Sequence, residues 1–473
     1  MARMVAQEPS ASLLAVAGLE DAERRAGGCA RPVRLRGHKR LVNTNTGEVT
    51  TLHDSAAELD GVTYVRCRDR RVSRCPSCSA EYKGDAWHLI MCGLAGGKGI
   101  PASVAEHPCT FATLTAPSFG PVHGLRTKGP CRARRDRPFC KHGRPLWCTK
   151  RHQPEDPQLG QPLCMDCYDY TAHVLWQWHA PELWRRFTIA LQRELARKVG
   201  MPVARFRKAC RISYSKVVEF QARGVIHVHV PIRLDGPDGP DGAGPGVELT
   251  TKDLEEAIAC AAAHVTVDTP PVDGEAGYRL RWGSQVDTRS ITDTAHRNSG
   301  RGAVMLHPER VAAYLAKYLT KTTEDFGLTG RVRSVIQARA LGASPHAVRI
   351  IATAVRLAGQ HESLARLRDN LTTLGYRGHP ITKSRAYSVT FGQLRRVRQL
   401  HRRRPAALAP DADVRQVLDV DEVPERFEIV ASFVYVGRGY LDLASAAAAV
   451  RAAVVTRTRW PVGGSRKSQE VGE

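Results

Sequence analysis

Apolar residues recur along this chain in two rhythms, alternation and a three-to-four spacing, which read as strands and helices. Cys109–Pro117, CTFATLTAP, alternates apolar residues and threonines up to a proline stop and predicts a strand. Leu175, Trp176, Leu183, Phe187, Leu191 and Leu195 recur at helical spacing within 171–199 and predict one or two helices, broken near Pro181. Residues 210–221 and Val225–Ile232 predict two further strands. The Ala222-Arg223-Gly224 between them has the form of a three-residue hairpin loop whose last glycine is left-handed. A Pro/Gly/Asp linker follows at 235–247, an alanine-rich helix at 250–265, a strand within Tyr278–Ile291 and a helix at Pro308–Lys321. Strand, helix, strand, strand, helix, strand, helix is the order of an α+β domain, an antiparallel sheet with helices packed on one face. Beyond residue 330 the pattern predicts helices at 345–370 and 391–404 and a strand at 428–437, a mostly helical C-terminal region.

Length and charge narrow the class. A chain of 473 residues suggests about three domains and can bury ordinary cores without disulfides. Its 70 Lys+Arg against 47 Asp+Glu leave a net +23, which favours a polyanionic partner, nucleic acid before an anionic membrane. No apolar run approaches the roughly 18 residues of a membrane span, and no secretory leader pattern opens the chain, so a cytoplasmic protein without membrane attachment is expected. Texture divides it into a loosely structured basic lead-in (1–60), a cysteine-rich possible zinc module (61–108), the α+β domain (109–330) with an insertion at 119–170, and a DNA-binding or partner-docking region (331–473). In that last region Arg395, Arg396, Arg398, Arg402, Arg403 and Arg404 form a basic stretch suited to phosphate contacts.

Ten of the thirteen cysteines lie between Cys67 and Cys167. Clustered cysteines in a cytoplasmic chain point to metal rather than disulfides. Cys164-Met-Asp-Cys167 offers one edge of a zinc tetrahedron, and Cys140 with Cys148 is the best second pair, with His142 and His152 as substitutes. Cys67, Cys75 and Cys78, completed by Cys92 or His88, could build a second site, and Cys109 or Cys131 could join. Four protein ligands would make either zinc structural.

Two constellations carry chemistry. His227 and His229, two apart in a strand, leave the same face. They sit within an apolar run, where unpaired polar groups are costly. With the hairpin loop at 222–224, Glu219 lies opposite His227, giving two imidazoles and a carboxylate, with Gln221 in reserve. Such an open site accepts Mg²⁺ or Mn²⁺ when phosphate supplies the remaining oxygens. The second constellation is the helix around VAAYLAKYLTK. Taking Tyr314 as zero, Lys317, Tyr318 and Lys321 fall at about −60°, +40° and −20°, one polar stripe opposite an apolar face of Ala312, Leu315, Ala316 and Leu319. A tyrosine there could attack a phosphodiester beside cations and a metal-polarised phosphorus.

These residues resemble the HUH endonucleases, and among them rolling-circle replication initiators of actinobacterial plasmids and integrative elements. Phe111-Ala-Thr-Leu-Thr115 resembles the family's first motif and His227-Val-His229 its second. The third, a tyrosine followed by a lysine on a helix, matches around both Tyr314 and Tyr318. Cys140–Cys167, ending in Cys-Tyr-Asp-Tyr, also resembles the actinobacterial group. The resemblance implies a ferredoxin-like catalytic domain, strand-specific nicking of DNA at an origin, a 5′-phosphotyrosine intermediate and a free 3′-OH that primes synthesis. It implies a host helicase and polymerase as partners. No GxxxxGK[ST] loop is present, so no nucleotide cofactor is expected. Two alternatives use the same features: a two-tyrosine HUH transposase, and a non-catalytic zinc-dependent DNA-binding regulator.

Overall fold

The structure, a computed structural model, describes residues 26–58, 60–134, 136, 138–291, 306–320, 323–403 and 426–441, with side chains for all but 399–403. In chain order the strands are β1 (Val33–Asn43), β2 (Val49–Asp54), β3 (Thr63–Val65), β4 (Cys109–Leu114), β5 (Arg211–Phe220), β6 (Ile226–Asp235), β7 (Thr266–Asp268), β8 (Arg279–Arg281), β9 (Val286–Ser290), β10 (Ile381–Lys383) and β11 (Phe427–Arg438). The helices are α1 (Pro76–Ala95), α2 (Tyr170–Lys198), α3 (Val203–Ala209), α4 (Thr251–His264), α5 (Pro308–Thr320), α6 (Val335–Ala340), α7 (Pro345–Leu357) and α8 (Phe391–Arg403). The chain forms two compact units, residues 1–88 with 390–473, and residues 89–389. This differs from the four-part division read from texture, because the unit boundaries follow long-range pairing that a local window does not see.

In the first unit, the described part of the expected loose lead-in carries two strands, β1 and β2. β1 pairs antiparallel with β11 along its whole length, from Val33 opposite Arg438 to Asn43 opposite Phe427, and also pairs with β2 and β3. The strand expected at 428–437 therefore forms, with a partner from the opposite end of the chain. α8 stacks Phe391 on Tyr82, ring centroids 5.1 Å apart, and its Arg398 pairs with Glu81 at 2.9 Å and with Asp85.

The second unit holds a five-stranded sheet in the order β10-β5-β6-β4-β9, antiparallel at every pairing. Its main path is β4-α2-β5-β6-α4-β9, so the first strand lies between the third and the fourth. β10, from the region expected to stand apart, adds an edge strand to β5. Alternation sends Ala112, Leu114, Val228, Val230 and Ile232 to one face, where they join a core with Leu175, Trp176, Leu183 and Phe187 of α2 and Leu254 and Ile258 of α4. α2 is one helix through Pro181, capped by Asp169, which accepts from the Ala172 amide at 2.8 Å. Burying several large side chains, each contributing about 1.5–3 kcal/mol, outweighs the roughly 3 kcal/mol cost of an internal proline. α5 instead lies on the opposite face of the sheet, against β5, so the helices are not all on one side. No helix among the described residues is long and apolar enough to cross a membrane.

Asp235 looked like the first residue of a linker, yet it is fully buried. It accepts from Arg233 Nε at 2.6 Å and from Ser213 Oγ at 2.5 Å, and lies 2.8 Å from His107 Nδ1. Asp235→Ala leaves the buried Arg233 guanidinium without its counter-charge, so we expect a loss of about 3–5 kcal/mol of stability, read as a lowered denaturation midpoint. A change under 1 kcal/mol would show that Arg233 does not depend on this carboxylate.

Candidate active site

The histidine strand is set by its turn. Gly224 sits at φ +76°, the Gln221 amide donates to Val225 O at 2.8 Å, and the Gly224 amide donates to Gln221 O at 2.8 Å. That loop fixes the register, and Glu219 stands opposite His227 as the spacing predicts. The Glu219 carboxylate reaches diagonally to His229, with Oε2 3.0 Å from Nε2. On the other ring edge, Nδ1 of His229 lies 3.0 Å from Oγ1 of Thr113, its direct neighbour on β4. A carboxylate only accepts, so Nε2 donates to it, while the threonine hydroxyl can serve Nδ1 as donor or acceptor. Phe111, two residues before Thr113, stacks on the His229 ring with centroids 5.9 Å apart and planes 3° from parallel.

The α5 stripe closes over this face. Val311, Ala312, Leu315, Ala316 and Leu319 are buried, while Tyr314 and Lys317 are exposed and Tyr318 is half-buried. The two phenol rings are 4.5 Å apart, and they lie 5.4 Å (Tyr314) and 6.1 Å (Tyr318) from the His229 ring. His227 is 6.0 Å from His229, centroid to centroid. The two histidines, Glu219 and both tyrosines therefore share one site. Lys321 lies outside the described residues. Gln221 is already engaged, its Oε1 accepting from Arg223 Nε at 3.0 Å.

Burial, then the neighbouring His229 and Arg223, lower the His227 pKa to about 3, so this imidazole is neutral with a free lone pair at physiological pH. Burial, then Tyr318 and Glu219, raise the Tyr314 phenol above its ordinary value. Among the described residues, sets of three or more ligating atoms within 4.8 Å of one another occur at three places, all cysteine-rich, and the His227–His229–Glu219 triad is not one of them. Its carboxylate is hydrogen-bonded to one of its imidazoles instead.

The cysteines group differently from the expectation. Cys67, Cys75 and Cys78 meet Cys29, from the supposed lead-in, and not Cys92 or His88. Cys140, Cys164 and Cys167 meet His142. Cys148 leaves that set for His123, Cys131 and His152. The reason is local: Cys148 pairs backbone-to-backbone with Arg132, which carries it to Cys131. Cys109 is built into β4. The sequence pattern alone did not place Cys29 and His123 in these groups, nor Thr113 and Phe111 beside His229. The spacing His123, Cys131, Cys148, His152 was the available signal for one of these.

Much of the arginine stretch expected to contact phosphate is engaged within the protein. Arg398 is tied to Glu81 and Asp85, Arg395 donates to the Phe391 carbonyl at 3.0 Å, and Arg396 is exposed. The side chains of Arg402 and Arg403, and all of Arg404, fall outside the described residues.

Comparison with known proteins adds a family. The family described as RepSA, replication initiator protein, pSAM2, matches residues 15–454. A replication initiator protein from Streptomyces ambofaciens is 38% identical over 427 residues, spanning 89% of this chain and 86% of its own length. No solved structure matches.

Proposed function

The chain belongs to the RepSA family of replication initiator proteins, and we propose that it initiates replication by nicking one DNA strand at an origin and later rejoining it, in a rolling-circle mode. The observation that carries this reading is the placement of both phenols over His229, at 5.4 and 6.1 Å between ring centroids. DNA binding alone has no use for such a pair. The β-α-β-β-α-β path with its first strand between third and fourth supports reading this unit as a ferredoxin-like domain of the HUH endonuclease kind.

The donor set fits a hard divalent cation. His227 is neutral, His229 in its Nδ1–H tautomer would offer the Nε2 lone pair, and Glu219 supplies an oxygen beside it. Thr113 can accept from Nδ1 as readily as donate to it, so it orients the ring in either tautomer. Mg²⁺ or Mn²⁺ held by these three would polarise the scissile phosphate. The rest is done by the chain. A phenol oxygen of Tyr314 or Tyr318 attacks phosphorus, the P–O3′ bond breaks, and the 3′ oxygen leaves as a hydroxyl that can prime a polymerase. The exposed Lys317 ammonium neutralises phosphate charge. The phosphotyrosine ester conserves the energy of the cleaved bond, so the second phenol can cut and the ends rejoin without a nucleotide cofactor. Duplex unwinding then falls to a host helicase.

The test is to incubate the full chain with supercoiled DNA carrying its cognate origin and Mn²⁺. The expected product is nicked DNA joined covalently to protein through its 5′ end. Specific binding with no adduct under Mg²⁺, Mn²⁺ and other divalent ions would overturn the nuclease reading and leave a DNA-binding initiator.

A further inference from the structure

We propose that the chain holds three separate structural zinc ions, one in Cys29/Cys67/Cys75/Cys78, one in His123/Cys131/Cys148/His152 and one in Cys140/His142/Cys164/Cys167. The argument starts from edge lengths. Zinc bound to sulfur at about 2.3 Å and to nitrogen at about 2.0–2.1 Å in a tetrahedron fixes the ligand separations at about 3.8 Å for S···S, about 3.5 Å for S···N and about 3.3 Å for N···N. In the first set Cys29 Sγ lies 3.8 Å from Cys75 Sγ and 3.7 Å from Cys78 Sγ. In the second, His123 Nδ1 is 3.1 Å from His152 Nε2, with S···N separations of 3.8 Å (Cys131 to His123) and 3.5 Å (Cys148 to His152). In the third, His142 Nδ1 is 3.3 Å from Cys167 Sγ and 3.6 Å from Cys164 Sγ. A disulfide needs sulfurs about 2.0 Å apart, and every cysteine here is free.

The surroundings suit thiolates and metal-bound imidazole. Backbone amides donate to Cys75 Sγ (Ala30, 3.3 Å), Cys29 Sγ (Cys67, 3.3 Å) and Cys131 Sγ (Gly124, 3.3 Å), which favours the anionic sulfur. His152 places Nδ1 2.6 Å from Asp156 Oδ2, so its other nitrogen is turned into the cluster with a carboxylate behind it, the usual outer partner of a zinc-bound histidine. Each set is closed by four protein ligands and leaves no position for substrate.

The fold needs these staples. Between the end of β4 at Leu114 and the start of α2 at Tyr170, the described residues form only isolated bridges, no helix and no strand. Segments of that length without regular structure are uncommon inside a compact unit. Two zinc ions would pin it at eight cysteine and histidine positions, from His123 to Cys167. The second site also reaches the histidine hairpin. His123 exchanges backbone hydrogen bonds with Gly160 and Gln161, both at 2.9 Å. Gly160, at φ +78°, lies so close to the hairpin tip that an added Cβ would sit 2.0 Å from Ala222 O. The ion beside His123 therefore fixes the loop that backs the strand carrying His227 and His229.

Metal content of the full chain, by native mass spectrometry with elemental analysis after a brief chelator wash, tests this. Three zinc ions per chain are expected. X-ray absorption at the zinc edge should give an average shell of three sulfurs to one nitrogen, from nine cysteines and three histidines. Cys148→Ser and Cys164→Ser should each lose one ion and the double variant two. Fewer than three ions in the wild-type chain, or an average shell richer in nitrogen, would overturn the proposal even if the variants fail to fold. A double variant that loses no more than either single one would show that Cys148 and Cys164 share one ion, and would overturn the partition.

Discussion

Replacing Tyr314 and Tyr318 together with phenylalanine is expected to eliminate the covalent DNA adduct. Tyrosine at its ordinary pKa near 10 is a weak nucleophile, and burial holds Tyr314 higher still, so in the proposed reaction attack by Tyr314 would require bound DNA and cation. Removing both hydroxyls leaves no nucleophile on that face of α5. The substitution keeps both rings, and therefore the edge-to-face contact of Tyr314 with Phe111 at 6.1 Å and with its neighbour at 4.5 Å. Thermal unfolding should move little, which separates lost chemistry from lost structure. Both rings lie within reach of His229, so each single variant should still form an adduct through the remaining phenol, with rejoining impaired more than cleavage. The readout is a denaturing gel with the attached nucleotide mapped by mass spectrometry. An undiminished adduct in the double variant, or one mapped to a residue outside α5, would refute the assignment.

What the sequence made legible here was local. The Ala222–Gly224 loop has few conformations available, and a glycine at its last position chooses among them, so the register that puts Glu219 across from His227 followed from counting. The α5 stripe was legible for the same reason: 3.6-residue periodicity turns spacing into a face. What was hidden depends on partners distant in the chain. β1 meets the nearby β2 and β3 over only part of its length; the partner that spans all of it is β11, nearly four hundred residues later. Cys29 joins Cys75 and Cys78 through that same unit, and spacing rules that count within one segment pass over it. Pro181 marked a helix end by local rules and was overridden by buried leucines and aromatics on both sides. Asp235 has the local pattern of a polar linker, since nothing in its neighbours announces that Arg233, His107 and Ser213 converge on it. Arginine density around Arg398 is visible in sequence and suggests phosphate contact, whereas the acidic residues of α1 that hold it are visible only in the fold.

The second large effect is expected at the other side of the scissile bond. His227→Ala with His229→Ala should lower nicking by at least about a thousandfold, the scale of a lost metal-assisted step worth roughly 4 kcal/mol. Affinity for duplex DNA should stay within a few-fold of the parent, because phosphate contacts that position a duplex come from many cationic side chains in a chain of net charge +23, none of them this pair. His229→Ala alone carries most of the information. It removes the ring that Thr113, Glu219 and Phe111 all hold, and it leaves the Glu219 carboxylate beside Tyr314 without its imidazole hydrogen bond, where its negative charge opposes ionisation of the phenol and repels phosphate. The single variant should therefore be about as defective as the double one. Nicking rates measured with saturating Mn²⁺, alongside binding curves on the same origin fragment, give both quantities. Undiminished nicking by the double variant would remove the imidazoles from the reaction. A parallel loss of binding would instead make them part of the DNA-docking surface.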